Sequence, residues 1–298
     1  MADGETTPPG GAGAPEGTAP DAAAAPAGDA HGAPEGPSGT SADAGAAPDG
    51  AGTPARESRR SARARRAQAR VDAIRAQGVD VHPPTWLERT SYKLLRGLFI
   101  LLAKPMFRLE VHGAEKVPTD GPFVLAPVHR SNLDFILAST VHPGRMRYMG
   151  KASIWKSRLL GRFVAMLGAF PVHRGTPDRE SLRTCMKVIE NGEPLVMFPE
   201  GTRRTGDEVT DLYDGPAYVA ARAGVPLVPV GIGGSDAAMP IGAKLIRPRK
   251  IVLVVGDPIR PPAGEGMGRV PRRVVRELTE RLQAEIQALY DEARRLAG

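Results

Sequence analysis

The stretch PFVLAPVHRSNLDFILAST, residues 122–140, constrains the fold more than any other part of the chain. An apolar run from Phe123 to Val128 stops abruptly at His129. Asp134 follows five positions later and opens a helical pattern of Phe135, Ile136, Leu137 and Ala138. The stretch predicts a buried strand, a tight turn and the first turns of a helix. Such a junction carries side chains to the mouth of a sheet, where open α/β proteins keep their chemistry, and it leaves helix N–H groups unpaired. A plainer reading of the same residues is a cap. Ser131-x-x-Asp134 has capping-box spacing, with Asp134 tying down the helix start and His129 an ordinary loop histidine.

The rest of the chain alternates between the two kinds of element. FRLEV, a segment ending near Lys151, GAFPV, PLVMF, PLVPVGI and KIVLVVG read as short strands. Helices are expected over 156–167, from Thr176 to a stop at Gly192, over 214–223, and over about 271–296. Thr176 is a good N-cap with Pro177 at the first helical position, and Leu182, Cys185, Met186 and Ile189 make one apolar face. In the last helix the apolar positions are Val274, Leu278, Leu282, Ile286 and Leu289. Strands alternating with helices imply an α/β fold, a central mostly parallel or mixed sheet flanked by helices. No internal repeat is visible.

Residues 1–56 belong to no such pattern. They contain no Ile, Leu, Val, Phe, Tyr or Trp, so they cannot bury enough apolar surface to offset their ordering entropy, and a disordered acidic tail is expected. The tail has no apolar core of the kind a signal peptide carries. Its eight acidic residues and one basic residue mask the charge of the remainder, which holds 39 basic against 25 acidic side chains. An excess of that size calls for an anionic partner: membrane surface, nucleic acid or phosphorylated substrate.

Residues 57–83 are expected to be a basic helical segment in which Arg59, Arg63, Arg66 and Arg70 line one face. On an anionic bilayer each such residue contributes on the order of 1 kcal/mol; a solvated charged helix accounts for the same pattern. Nucleic acid is not expected as a partner, because the segment has no aromatic residue for stacking and no recognised binding fold around it. WLERTSYKLLRGLFILLAKPMF, residues 86–107, follows. Its dense apolar part, Leu94 to Ala103, is interrupted by Arg96 and is shorter than the about 20 residues a span needs. It fits an interfacial helix with aromatic and basic anchors, and equally a helix packed on the sheet.

Several chemistries are excluded. The single cysteine, Cys185, lies on a helix's apolar face, so disulfides and thiolate–zinc sites are not expected. There is no Gly-x-Ser-x-Gly elbow, Walker loop or His-Glu-x-x-His, and His31, His112 and His142 lack partners at motif spacing. Neither metal nor resident cofactor is expected.

Four stretches remain, in fixed order: HRSNLD with His129 and Asp134; GAFPVHR with Gly168, Phe170 and Arg174; FPEGTR, residues 198–203; and VPLVPVGI, residues 225–232. Together they resemble the glycerolipid acyltransferase superfamily, most closely its bacterial lysophosphatidate (1-acylglycerol-3-phosphate) acyltransferases, over roughly residues 95–260. The resemblance implies that His129 is the general base and Asp134 the carboxylate that orients it. It implies that Arg174, Glu200, Gly201, Thr202 and Arg203 bind the acceptor's glycerol phosphate, and that the fourth stretch is structural or touches the acyl donor. Two positions depart from the family's pattern: Val128 stands where Asn is common and His173 where Asp is common. Residues 84–298 would then be the acyltransferase domain. The implied enzyme is peripheral to the cytoplasmic face of the cell membrane, and its partners are lysophosphatidate, an acyl-CoA or carrier-protein donor, and anionic lipid. Other glycerolipid acceptors, or a non-catalytic lipid-binding protein on the same fold, are the alternatives. Acyl length, donor and oligomeric state are not legible.

The residue chemistry agrees with that implication. A hydroxyl attacks a thioester only once its proton is being removed, and histidine is the side chain that takes up protons near neutral pH. A carboxylate on the other ring nitrogen fixes the tautomer and favours the imidazolium that forms. Arginines suit the acceptor phosphate because the guanidinium binds it through paired N–H donors. Gly201 lets backbone approach closely, and Glu200, an anion, is better placed to orient an arginine or accept a hydroxyl proton.

Overall fold

The computed structural model describes residues 83–172, 179–262 and 270–298, together with Ala62, Arg65, Arg66 and Ala69, which are helical. The rest of the basic segment, including Arg59, Arg63 and Arg70, lies outside the described residues, as does the acidic tail.

The first long element is α1, Trp86–Phe107. Thr85 begins it with a reciprocal capping box: its hydroxyl accepts the Glu88 N–H at 3.3 Å while the Glu88 carboxylate accepts the Thr85 N–H at 2.8 Å. The helix runs through Phe107, so the expected FRLEV strand starts later, as β1, Glu110–His112. Then follow β2, Val124–Pro127; the short α2, Asp134–Leu137; β3, Arg147–Lys151; α3, Arg158–Met166; β4, Ala169–Val172; and α4, Arg179–Glu190. The chain continues with β5, Leu195–Val196; α5, Gly215–Ala223; β6, Leu227–Gly233; α6, Ser235–Ala238; β7, Val252–Val255; and α7, Arg272–Ala297. The expected start of α4, Thr176 to Asp178, lies outside the described residues.

These strands form one seven-stranded sheet in the order β1-β7-β6-β2-β5-β3-β4. Every neighbouring pair is parallel except β6 with β7. The sheet is therefore mixed, with β2 at its centre. Phe123, Val124, Leu125, Ala126 and Val128 are fully buried, as an apolar run without alternation requires of a strand covered on both faces.

The connections β2→β3 and β3→β4 step one way along the sheet, and β4→β5 and β5→β6 step back. Parallel crossovers are right-handed, so α2 and α3 cover one face and α4 and α5 the other. The packing agrees: α4 lies against α5 and α5 against α7, whereas α1 touches α3.

The burial of α1 is inverted for a helix in water. Tyr92, Ala103 and Phe107 face the protein, and Arg96 also turns inward, its guanidinium donating to the carbonyls of Ser139 at 2.7 Å and Thr140 at 3.2 Å. Leu94, Leu98, Leu101 and Leu102 are left outside, each more than half exposed. Among the described residues no helix is long and apolar enough to cross a membrane.

Candidate active site

The site stands at the C-terminal ends of β2 and β5. These strands pair in parallel, Val124 with Leu195 and Leu125 with Val196. The same offset carried past the strand ends sets His129 opposite Glu200. The contact follows: the His129 N–H donates to Glu200 Oε2 at 2.8 Å. Two stretches far apart in sequence are thus brought together by sheet register alone.

His129 is buried, its ring stacked on Phe198 with centroids 4.1 Å apart. Its Nδ1 lies 3.1 Å from Asp134 Oδ2. An ionised carboxylate only accepts, so Nδ1 carries the proton in that bond and Nε2 is left as the basic nitrogen. Asp134 is fully buried, and the same Oδ2 accepts the backbone N–H groups of Arg130 and Ser131, both at 2.6 Å. Charge-assisted bonds of this length hold the carboxylate rigidly. The capping reading is therefore half realised. Asp134 reaches back to the Ser131 N–H, but the Ser131 hydroxyl accepts from Leu133 N at 3.2 Å and donates to the Met239 carbonyl at 2.8 Å. One aspartate both shapes the turn and orients the histidine.

Glu200 is fully buried, with one oxygen on the His129 N–H and the other on Arg130 Nη1. Its two oxygens are thus engaged within the protein. It orients an arginine, Arg130, and ties that arginine to the backbone of the histidine turn. Arg130 was not singled out in the sequence, yet it is the hub of the site. Its guanidinium also donates to the carbonyls of His129 at 3.2 Å, Gly206 at 3.2 Å and Glu208 at 2.9 Å, and it lies over the Tyr290 ring of α7 at 4.9 Å. Burial disfavours its charge, but the bonded Glu200 carboxylate offsets this and holds the guanidinium above its ordinary value. A signal for Arg130 existed: a carboxylate beside a buried strand needs a cation, and strand pairing offers the residue next to His129.

Gly201 has φ +65°, and a Cβ there would sit 2.6 Å from the Tyr213 ring. The left-handed backbone reserves the turn after Glu200 for glycine, whereas the exposed Tyr213 ring could move aside. Thr202 is exposed and Arg203 partly so. The Arg204 N–H donates to the His129 carbonyl at 3.0 Å, which puts the Thr202–Arg204 turn directly beside the histidine. Arg203 makes no ion pair or hydrogen bond with another described residue through its side chain. Arg174 follows β4 and lies outside the described residues.

The fourth stretch is β6, buried along its whole length and paired with β2 and β7. Cys185 is in the core as expected, and burial pushes its thiol up to about 12, which removes it as a nucleophile near neutral pH. Among the described residues no group of three or more His, Cys, Asp and Glu side chains is placed to hold a metal ion.

The chain is similar to known proteins in sequence and in fold. The family model described as Acyltransferase matches residues 108–233, which include the histidine turn, the glutamate turn and β6. A 1-acyl-sn-glycerol-3-phosphate acyltransferase of Bacillus subtilis is 32% identical over 152 residues, covering 51% of this chain and 73% of that protein. One from Streptococcus pneumoniae is 27% identical over 212 residues, covering 70% and 76% respectively. Only 46% of a chloroplast relative from Brassica napus is covered, at 27% identity over 52% of this chain. Among solved structures, the 1-acyl-sn-glycerophosphate acyltransferase of Thermotoga maritima shares the fold, with a TM-score of 0.53 at 22% identity over 66% of this chain and 80% of that one. The chain belongs to the acyltransferase family.

Proposed function

We propose that this enzyme moves a fatty acyl group from a thioester, acyl-CoA or acyl carrier protein, to the free hydroxyl of 1-acylglycerol 3-phosphate, giving phosphatidate. One observation carries the reading: the buried His129–Asp134 pair, with Nδ1 bonded to the carboxylate at 3.1 Å, at the end of the central strand. The names of the Bacillus and Streptococcus relatives support the choice of acceptor.

His129 Nε2 takes the proton of the acceptor hydroxyl as its oxygen attacks the thioester carbonyl. Asp134 stabilises the imidazolium formed. The tetrahedral intermediate then collapses, the carbon–sulfur bond breaks, and His129 gives the proton to the departing sulfur, which leaves as the free thiol and returns the histidine to its neutral form. No serine nucleophile is needed. Arg203, beside the histidine turn, and Arg174 bind the acceptor phosphate, while Thr202 and the glycine turn at Gly201 complete its cradle. Glu200 and Arg130 hold the histidine turn and the arginine turn in register.

The enzyme works as a peripheral protein on the cytoplasmic face of the membrane, with the leucine stripe of α1 in the interface and the basic segment on anionic headgroups. The test is purified protein with labelled acyl-CoA or acyl carrier protein and a panel of acceptors. Phosphatidate formed from 1-acylglycerol 3-phosphate is the expected main product. Preference for glycerol 3-phosphate or a lysophospholipid without a terminal phosphate would overturn the assignment.

A further inference from the structure

The loop from α6 to β7, residues 239–250, stands at the same edge of the sheet as the candidate site. β6 runs parallel to β2, and β7 runs back against β6 with Val252 opposite Gly233, so the chain turns round beyond the C-terminal ends of β2 and β6. The loop is bonded to the site itself. The Ser131 hydroxyl of the histidine turn donates to the Met239 carbonyl at 2.8 Å. The Arg247 N–H donates to the Ala238 carbonyl at 2.8 Å and draws the two ends of the loop together. Between them the Ala243 N–H closes a turn on the Pro240 carbonyl at 3.0 Å, with Gly242 at φ +86°.

Backbone bonds thus set the shape of the loop, and its large apolar side chains are left outside. Ile241 is 43% exposed, Leu245 80% and Ile246 46%. One such residue on a surface needs no explanation, but three within six positions on a loop held away from the core form a patch that calls for a partner. The charge around the patch has one sign. Lys244, Arg247 and Arg249 are exposed and make no ion pair with another described residue, whereas Lys250 is held by Glu110 at 2.9 Å. No acidic residue occurs between Asp236 and Asp257. The end of α1 adjoins the loop as well. The Phe107 carbonyl accepts the Ile251 N–H at 2.9 Å, and Leu102 and Met106 in the last turns of α1 are exposed.

We propose that residues 239–250 are a second membrane contact, in which Ile241, Leu245 and Ile246 enter the surface of a bilayer containing anionic lipid and Lys244, Arg247 and Arg249 meet its headgroups. The proposal rests on the acyltransferase reading above. Three apolar side chains and three cations are a marginal anchor by themselves, so the loop orients a molecule that α1 and the basic segment hold. Bonded to the histidine turn, it sets the mouth of the site on the lipid, where an amphiphilic acceptor reaches His129 without crossing water.

Two measurements test this. In the first, Leu245→Cys carries an environment-sensitive fluorophore; Cys185 is buried and stays unlabelled. The expected result is a blue shift with vesicles containing phosphatidylglycerol, smaller with phosphatidylcholine alone. No shift, or an equal shift with both, would overturn the proposal. A shift on concentrating the protein without vesicles would also overturn it and assign the loop to a second copy of the chain. The second measurement compares wild type with L245Q/I246Q and with K244Q/R249Q, each checked for folding by circular dichroism and melting. One donor is used with a long-chain acceptor in anionic vesicles and with a short-chain acceptor dissolved as monomer. Vesicle turnover should fall roughly tenfold, with turnover of the monomeric acceptor changed by less than about twofold. Unchanged vesicle turnover, or equal loss with both acceptors, would overturn the proposal. Failure of wild type with both acceptors would instead count against the acyltransfer reading, with the fluorescence still deciding the loop.

Discussion

At the scale of the residue, the site separates groups that do chemistry from groups that hold them. His129→Ala removes the general base without disturbing the Asp134 bonds to Arg130 and Ser131, which are backbone contacts. We expect kcat to fall roughly 100- to 10,000-fold in a protein that still melts cooperatively. Asp134→Asn should fall into the same range, because the imidazolium loses its counter-charge, and should also lower stability by weakening the turn. Near-normal turnover in folded His129→Ala would rule out the mechanism. Arg203→Ala and Arg174→Ala should raise the acceptor KM far more than the donor KM; the opposite split would move these arginines to the coenzyme. Glu200 and Arg130 are a different case. Each is almost completely buried, so Glu200→Ala leaves a charge inside the protein without its partner, at a cost of about 3–5 kcal/mol in urea unfolding. Arg130→Met combined with Glu200→Gln should recover much of that loss without recovering full activity, since the register of the two turns is what the pair maintains. If the double variant is no more stable than Glu200→Ala, the pair is not the dominant contact.

At the scale of the element, β6 and α7 show how small residues position a helix. A Cβ on Gly231 would lie 2.2 Å from the Leu289 carbonyl oxygen, and one on Gly233 would lie 2.3 Å from that of Ala293. Both glycines point to one face of β6, and both opposing groups are backbone one turn apart on α7. No flexible side chain can yield. Gly231→Ala should therefore exceed the about 1–3 kcal/mol typical of overpacking and lower the melting temperature by many degrees. It should also loosen Tyr290, and with it Arg130, although α7 contributes no group to the reaction. A neutral Gly231→Ala would mean that α7 shifts freely on the sheet. The register of α7 was largely readable: Leu278, Leu282 and Ile286 are buried as their spacing predicted. At the ends Val275 and Tyr290 are more deeply buried than the expected Val274 and Leu289, because the helix follows a twisted sheet.

At the scale of the whole molecule, charge and apolar surface separate. The body beyond residue 56 is strongly basic, the preceding tail is acidic, and all the exposed leucines but Leu245 lie on α1 and α3. Attachment to a bilayer should have two parts, since charge or apolar anchoring alone is marginal. The electrostatic part weakens with salt, because the Debye length falls from about 10 Å at 0.1 M to about 3 Å at 1 M. Liposome co-sedimentation can separate the parts. Full-length protein and protein lacking residues 1–56 should bind alike. Changing Arg59, Arg63, Arg66 and Arg70 to Gln should remove much of the preference for anionic lipid. Changing Leu94, Leu98 and Leu101 to Gln should weaken binding to neutral and anionic liposomes alike, and the residual binding should vanish in 1 M salt. Equal binding of all four proteins to both kinds of liposome would make the arginines and leucines merely a solvated surface.

What the sequence determined by itself was local. The apolar run of β2, the helical spacing of α7 and the spacing of His129 and Asp134 all depend on residues a few positions apart, and chain geometry brings such neighbours together without help. The alternation of strands and helices likewise limited the architecture to a sheet covered by helices. Tertiary structure alone decided that Glu200 meets His129 and Arg130, since that contact depends on which strands pair and in what register. It also turned Arg96 of α1 inward and its leucines outward. Spacing distinguishes one face of a helix from the other, but only the carbonyls of Ser139 and Thr140, more than 40 residues away in sequence, select the face that carries the arginine.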